Sequence, residues 1–409
     1  MPDAPWSAAV VAQSEADNIK DNVRGMHMPA PLQIVVDPRF LSGTPGDPNF
    51  NALEYYMHTG DAAIWTGHYL AAEAFRYAAT QGNPDAFEGV TMALAGIATL
   101  ADVTASTRPG LLARFYMPKG WTYEQGVFNH ERADAFFSGT IGGQDYWWMG
   151  NTSRDQYSGV FFGLGVAYDL VPVQSVRDEI RRIVKQLLSH LLANSWNVIN
   201  PNGKTSTTFA GRADQQLSFL QVGRRVDPAT FDATYKSYRS KSASSVGTPI
   251  AIECLDTHGS YYKFNLNHIN LYNLIRLEEA GSARTSYLNA YNRLRGCTGS
   301  HQNAHFNMVD RGVKGTADAT RDGNTRQYLE LWLTRPRRNF EVNLRGQFAA
   351  CGTDRACSPI PVDKRINTDF VWQRSPFSLY GAGDGRIETA ALDYFLPYWM
   401  GRYYGVITQ

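Results

Sequence analysis

The chain has 409 residues, 43% of them apolar and 19% charged, with a net charge of +1. That balance excludes a generic polyanion binder, which would carry a marked basic excess, and no apolar run is long enough to span a bilayer. There is no Lys/Arg block and no heptad stretch, while 22 Tyr and 9 Trp are more than a core alone requires and suit half-wet clefts.

Residues 1–50 read as an N-terminal extension packing on the main domain. A helix is expected over Ser7–Val23, then a break at Met28-Pro29-Ala30-Pro31, a strand at Leu32–Val36, and irregular chain at Ser42-Gly43-Thr44-Pro45-Gly46-Asp47-Pro48. From residue 51 a beat of paired helices sets in. An aromatic and small-residue helix from Asp61 meets the turn Gly82-Asn83-Pro84-Asp85, and a second helix runs from Ala86 to about Ala101. After a long loop over 105–150, the beat returns as Ser153–Leu170 and Ser175–Trp196 around Val171-Pro172-Val173-Gln174. It returns again as Gly211–Val222 and Ala229–Lys241, and as Tyr261–Glu279 and Ala283–Arg295. Beyond 300, helices are expected at Thr325–Thr334 and Thr389–Tyr404, with Gly381–Gly385 read as a turn. Short connections force neighbouring helices antiparallel. Tight turns therefore lie at one end and long polar loops at the other.

Cys351 and Cys357 enclose a short polar loop with little else to hold it, which predicts a disulfide, with Cys254 and Cys297 as a second. Four reduced thiols in a cytosolic protein are the alternative. Zinc is disfavoured, because no neighbouring Cys or His completes the one closely spaced pair. A secreted or periplasmic location is expected, with a signal peptide taken to have been removed ahead of Met1.

Four hairpins with further helices at each end resemble the (α/α)6 toroid shared by many glycoside hydrolases and polysaccharide lyases. The resemblance covers most of 51–405 and implies an all-α fold, an (α/α)6-like toroid of helical hairpins with long loops at one rim, as a single catalytic domain over 51–409. An open α-solenoid is the structural alternative. Terpene cyclases also use helical toroids, but no DDxxD-type metal motif is present.

In such a ring the first helix of each pair begins at the long-loop rim, so polar residues at those starts converge. Asp61, Trp65 and His68 share one helical face. The segment Asp145 to Tyr157 is the densest cluster, with Asp145, Trp147, Trp148, Arg154 and Asp155. Arg154-Asp155-Gln156 resembles the Arg-Gly-Gln helix start of unsaturated glucuronyl hydrolases, with Asp in place of Gly. Arg212 and Asp214 open a third pair. His258-Gly259-Ser260-Tyr261-Tyr262 through Asn267-His268 open a fourth, and Asn267-His268 resembles the Asn-His pairs of toroid lyases. Each also has an ordinary structural reading: Asp61 as a helix cap, His68 and His268 as packed core groups, and Arg154–Asp155 as a capping pair.

The resulting expectation is a glycoside hydrolase cleaving a poly- or oligosaccharide, inverting by analogy, with Asp61 and Asp155 as acid/base pair and Asp145 in reserve. Trp65, His68, Glu131, Trp147, Trp148, Arg154, Tyr262 and His268 would bind substrate. No cofactor or metal is implied, since Asp318, Asp322 and Asn324 lack the full EF-hand spacing. A uronate-directed lyase using Tyr262 or His268, or a non-catalytic glycan-binding protein, are the alternatives.

Overall fold

The computed structural model describes residues 6–43, 52–259, 261–366 and 374–408, with side chains from residue 13 onward. The stretch Thr44–Pro48 and Ser260, both singled out above, lie outside these residues. The chain opens with α1 (Trp6–Asn22), β1 (Asp37–Phe40) and β2 (Leu53–Met57). There follow α2 (Ala62–Ala79), α3 (Pro84–Asp102), β3 (Phe115–Pro118), α4 (Glu124–His130), β4 (Phe136–Ile141) and β5 (Gln144–Met149). Next come α5 (Arg154–Leu170), α6 (Gln174–Ala193), β6 (Asn197–Ile199), β7 (Thr205–Thr208), α7 (Ala213–Val226), α8 (Pro228–Ser242) and α9 (Gly247–Glu253). The last elements are α10 (Tyr262–Arg276), α11 (Ser282–Thr298), α12 (Ala304–Lys314), α13 (Ala319–Leu333), β8 (Arg338–Asn343), β9 (Tyr380–Glu388) and α14 (Leu392–Tyr403).

The all-α expectation is overturned. The protein is a mixed α/β fold, 56% helix and 13% strand. Its strands form antiparallel sheets in the orders β2-β1-β9-β8, β3-β5-β4 and β6-β7. The reason is local. Between β4 and β5, Gly142 and Gly143 take φ of 56° and 84°, the left-handed pair that a two-residue hairpin loop demands. The same stretch read only for helices looks like loop. Two smaller corrections have similar causes. Leu32, Ile34, Val35 and Val36 are buried, but the stretch is not a strand, since the exposed Gln33 at φ 56° interrupts the extended run. Gly381–Gly385 lies within β9 rather than in a turn.

The helices follow from composition. α2 buries every residue from Ala62 to Arg76, so it has no wet face and is built of small and aromatic side chains. α6 buries only one stripe, Val176, Ile180, Ile183, Val184, Leu187, Leu188 and Leu191, and keeps its charges outside. The α2–α3 turn is set by Asn83, whose side chain accepts from the Asp85 N–H at 2.8 Å, with Pro84 at the first helical position. Each of α2, α5, α7, α10, α12 and α14 packs on the next, and α14 packs back on α2. The closest approach joins α2 to α5. A Cβ on Gly159 would lie 2.7 Å from the Ile64 Cα, and one on Gly67 would lie 2.8 Å from the Val160 nitrogen. Only glycine allows these backbones to touch.

One hydrophobic cluster runs from Ala16 to Ile407, with a small satellite of Leu344, Ala356, Ile360 and Leu379. Sulfur separations are 2.06 Å for Cys254–Cys297 and 2.00 Å for Cys351–Cys357, both disulfide distances. Among the described residues, no helix is long and apolar enough to cross a membrane.

The N-terminal extension is tied to β9 through Glu388. Its carboxylate accepts from Asn22 at 3.0 Å and lies 3.6 Å from Arg337, 3.4 Å from Arg338 and 3.7 Å from His27. Burial opposes its ionisation, but His27 and Arg337 outweigh that and hold the carboxyl at about 2, below its ordinary 4.5. A depressed folded-state value contributes stability that is present above pH 4.5 and lost as pH falls through about 2. The expected contribution is on the order of 3 kcal/mol. Glu388→Gln should flatten the loss of urea resistance between pH 5 and pH 2. An unchanged slope would contradict this account.

Candidate active site

The start of α2 is fastened to two other elements. The Ala63 N–H donates to the Arg114 carbonyl at 3.2 Å, and the Ile64 N–H donates to the Gln156 side chain at 2.9 Å. These bonds satisfy helix-terminal donors that an N-cap side chain would otherwise take. Asp61 stands at the N-cap position but does not cap. Its carboxylate instead accepts from Gln156 at 3.0 Å and from Arg114 at 3.3 Å. Arg114 is itself aimed by the carbonyls of Gly60 at 2.6 Å and Asn151 at 3.3 Å. The Asp61 and Arg114 side chains keep 28% and 24% exposure, so the pair is reachable from solvent.

Asp155 lies in the first turn of α5, next to Gln156 and within the field of the same Arg114. Among the described residues no other side chain hydrogen-bonds its carboxyl. Burial raises the carboxyl above its ordinary 3.8, and the charges of Arg114 and Arg154 reduce this only in part. Two carboxyl groups thus share one guanidinium in unlike settings. Asp61 takes hydrogen bonds from Gln156 and from the Arg114 guanidinium, whereas burial raises the Asp155 carboxyl.

Beside them, His58 has φ 54° and its Nδ1 lies 2.9 Å from the buried Asp37 carboxylate. Thr59 donates to Glu131 at 2.9 Å, which places Glu131 against the turn that carries Asp61. The Trp65 ring is buried and meets His58 edge-on at 6.3 Å. Arg114, His58 and Asp37 were missed in the sequence. His58 had a signal, since it stands three residues before Asp61. Arg114 had none, because β3 is brought in only by sheet pairing.

Other expected residues lie elsewhere. Asp145 is exposed, bonded to Thr140 at 2.9 Å. It sits four residues along β5 from Met149, whose carbonyl takes the Arg114 N–H, so the strand carries it roughly 13 Å away. Trp147 and Trp148 are successive strand residues and point to opposite faces. Trp148 is fully buried with its indole N–H on the Ser138 carbonyl, while Trp147 is half-buried under Lys119. They cannot form one wall. His68 is in the core between the Ile64 carbonyl and Asn265, where burial lowers it to about 4. His268 is also in the core, stacked on Phe306 at 3.9 Å. Both are packed groups inside helices buried on all sides. Tyr262 is exposed at the start of α10. Arg154 stays half-buried beside Asp155.

At the starts of α7 and α10, Arg212 holds Asp214 at 2.7 Å and Glu253 at 2.6 Å. Asn267 donates to the same Glu253. One guanidinium thus faces two carboxyl groups, and burial together with the Glu253 charge raises Asp214 above its ordinary value. Asp318 caps α13 and Asp322 pairs with Arg321 at 3.0 Å, so neither is left as a calcium ligand. Among the described residues, no group of three or more His, Cys, Asp or Glu is placed to hold a metal ion.

Two of the cavities among the described residues are lined by neither Asp61 nor Asp155. One of about 520 Å³ is lined by Thr248, Ile252 and Arg293, without an acid. Another of about 330 Å³, at the opposite helix ends, contains Asp169, which is already paired with Arg225 and Arg276. Neither offers an unpaired carboxyl. No protein-family model, no curated protein and no solved structure matches the chain.

Proposed function

We propose that the protein is a glycoside hydrolase acting through the Asp155–Asp61 pair. The observation that carries this reading is the unlike environment of two carboxyl groups around Arg114. Pairs whose surroundings push them apart suit opposite acid/base roles. Asp155, whose carboxyl burial raises above its ordinary value, donates its proton to the leaving glycosidic oxygen. Asp61, fixed in place by Arg114 and Gln156, takes a proton from the attacking water, which makes the course inverting. Arg114 fixes Asp61 and limits how far Asp155 is raised. Glu131, Arg154 and the exposed Tyr262 are the remaining expected residues available to sugar hydroxyls. A location outside the cytoplasm fits two cysteine pairs at disulfide distance.

The pH dependence has a definite sign. Asp155 acts protonated, so activity is full below its raised value and falls as pH rises through it. Asp61 acts ionised, so activity also falls toward low pH. A bell-shaped profile on any cleaved glycan is expected, with its alkaline limb displaced upward from the ordinary Asp value. Asp155→Glu should shift that limb. A flat profile, or one unmoved by this substitution, contradicts the assignment. Elimination has weaker support, because His268 is packed in the core and Asn267 is engaged with Glu253.

A further inference from the structure

The end of α13 and the loop before residue 367 bring two arginines into one small cavity. Arg335 is 6% exposed, and its Nη2 donates to the Ile366 carbonyl at 2.9 Å. Among the described residues, its Nε and Nη1 have no hydrogen-bond partner. Arg365 donates to the carbonyls of Ile360 at 2.9 Å, Gln302 at 3.1 Å and His301 at 2.6 Å, which fixes its guanidinium without neutralising it. Both line a cavity of about 20 Å³ together with Asn303, Trp332 and Asp393. Asp393 is not in ion-pair contact with either arginine. Its carboxylate takes the Trp332 indole N–H at 2.7 Å, and burial raises it toward the neutral form.

A buried guanidinium with unmatched N–H groups is costly. Arg335 carries the unmatched N–H groups, and Arg365 adds a second positive charge. Of the acids whose field reaches Arg335, Asp393 is itself discouraged from ionising, while Asp363 acts without a hydrogen bond to it among the described residues. Burial lowers Arg335, and burial together with the neighbouring Arg335 charge lowers Arg365 to about 10. The volume admits about one atom of water or halide size, too little for a tetrahedral oxyanion. A water would satisfy some N–H groups but leave the charge. A monovalent anion does both.

We propose that this cavity is a binding site for one small monovalent anion of halide size, held by the Nε and Nη1 groups of Arg335 and the fixed guanidinium of Arg365. The anion completes the junction of α12, α13 and α14, and its binding stabilises the folded chain by mass action. This site is separate from the carboxylate pair and does not depend on the assignment made there.

The test is thermal unfolding of the full chain at constant ionic strength, exchanging sodium gluconate for sodium chloride, sodium bromide or sodium sulfate. The expected result is a saturable rise in Tm with chloride and bromide, absent with sulfate and lost in Arg335→Gln. Crystals of the unaltered protein grown in bromide should show an anomalous peak between the two guanidinium groups, a readout that needs no variant. Equal Tm in all four salts, a halide response retained in Arg335→Gln, or no bromide peak at this position would overturn the proposal.

Discussion

Asp155→Asn is expected to lower glycan hydrolysis by about 10²–10⁴-fold, the usual size of a general acid contribution. The amide is nearly the same shape and cannot donate a proton to a leaving oxygen. No other side chain hydrogen-bonds Asp155 among the described residues, so the substitution leaves no partner stranded and urea resistance should be little changed. Asp61→Asn should lose a comparable factor for the opposite reason, since the amide cannot accept the proton of water. It also removes the ion pair to Arg114, so some loss of stability accompanies it. The two variants can therefore be told apart: one loses rate alone, the other loses rate and some stability. Measurement of kcat/KM beside a urea titration separates these effects. A folded Asp155→Asn protein with wild-type turnover would remove the acid from the scheme.

Gly67→Ala is expected to destabilise the chain by about 3 kcal/mol or more, at the upper end for overpacking. The new methyl meets the Gly159 carbonyl and the Val160 nitrogen, which are backbone atoms of a helix and cannot rotate away as a side chain would. Gly163→Ala meets the Gly67 carbonyl from the other side and should behave alike. The consequence reaches the site, because α2 carries Asp61 and α5 carries Asp155. Separating the helices loosens the Gln156 bonds to Ile64 and Asp61. Chemical denaturation reads the stability change. A Gly67→Ala protein as stable as the parent would show that the two helices are not in backbone contact.

Much of the helical part of the fold could be read from residues. Turns such as Gly82-Asn83-Pro84-Asp85 carry their own chemistry, and small aromatic helices announce burial. The strands were not legible by the same route. They are short, they lie between helices, and most are identified by their partner rather than by their own pattern. The Gly142-Gly143 pair was the available signal, inside a stretch over 105–150 that reads as one long loop. At the site, the argument from helix starts singled out Asp61 and Asp155; Arg114 pairs with the first and its charge acts on the second. It does not extend to His68 and His268, which lie on the stretches of α2 and α10 that are buried all round, Ala62–Arg76 and Phe264–Ile275. Trp147 and Trp148 failed for a different reason: strand alternation separates neighbours that look like a cluster in one dimension.

The most direct test of the carboxylate-pair assignment is product analysis after incubation of the protein with a panel of neutral and acidic glycans, run beside Asp155→Asn and Tyr262→Phe. The account predicts new reducing ends without the far-ultraviolet absorbance of a conjugated double bond, lost in Asp155→Asn and retained in Tyr262→Phe. Unsaturated products that disappear in Tyr262→Phe and persist in Asp155→Asn would contradict it.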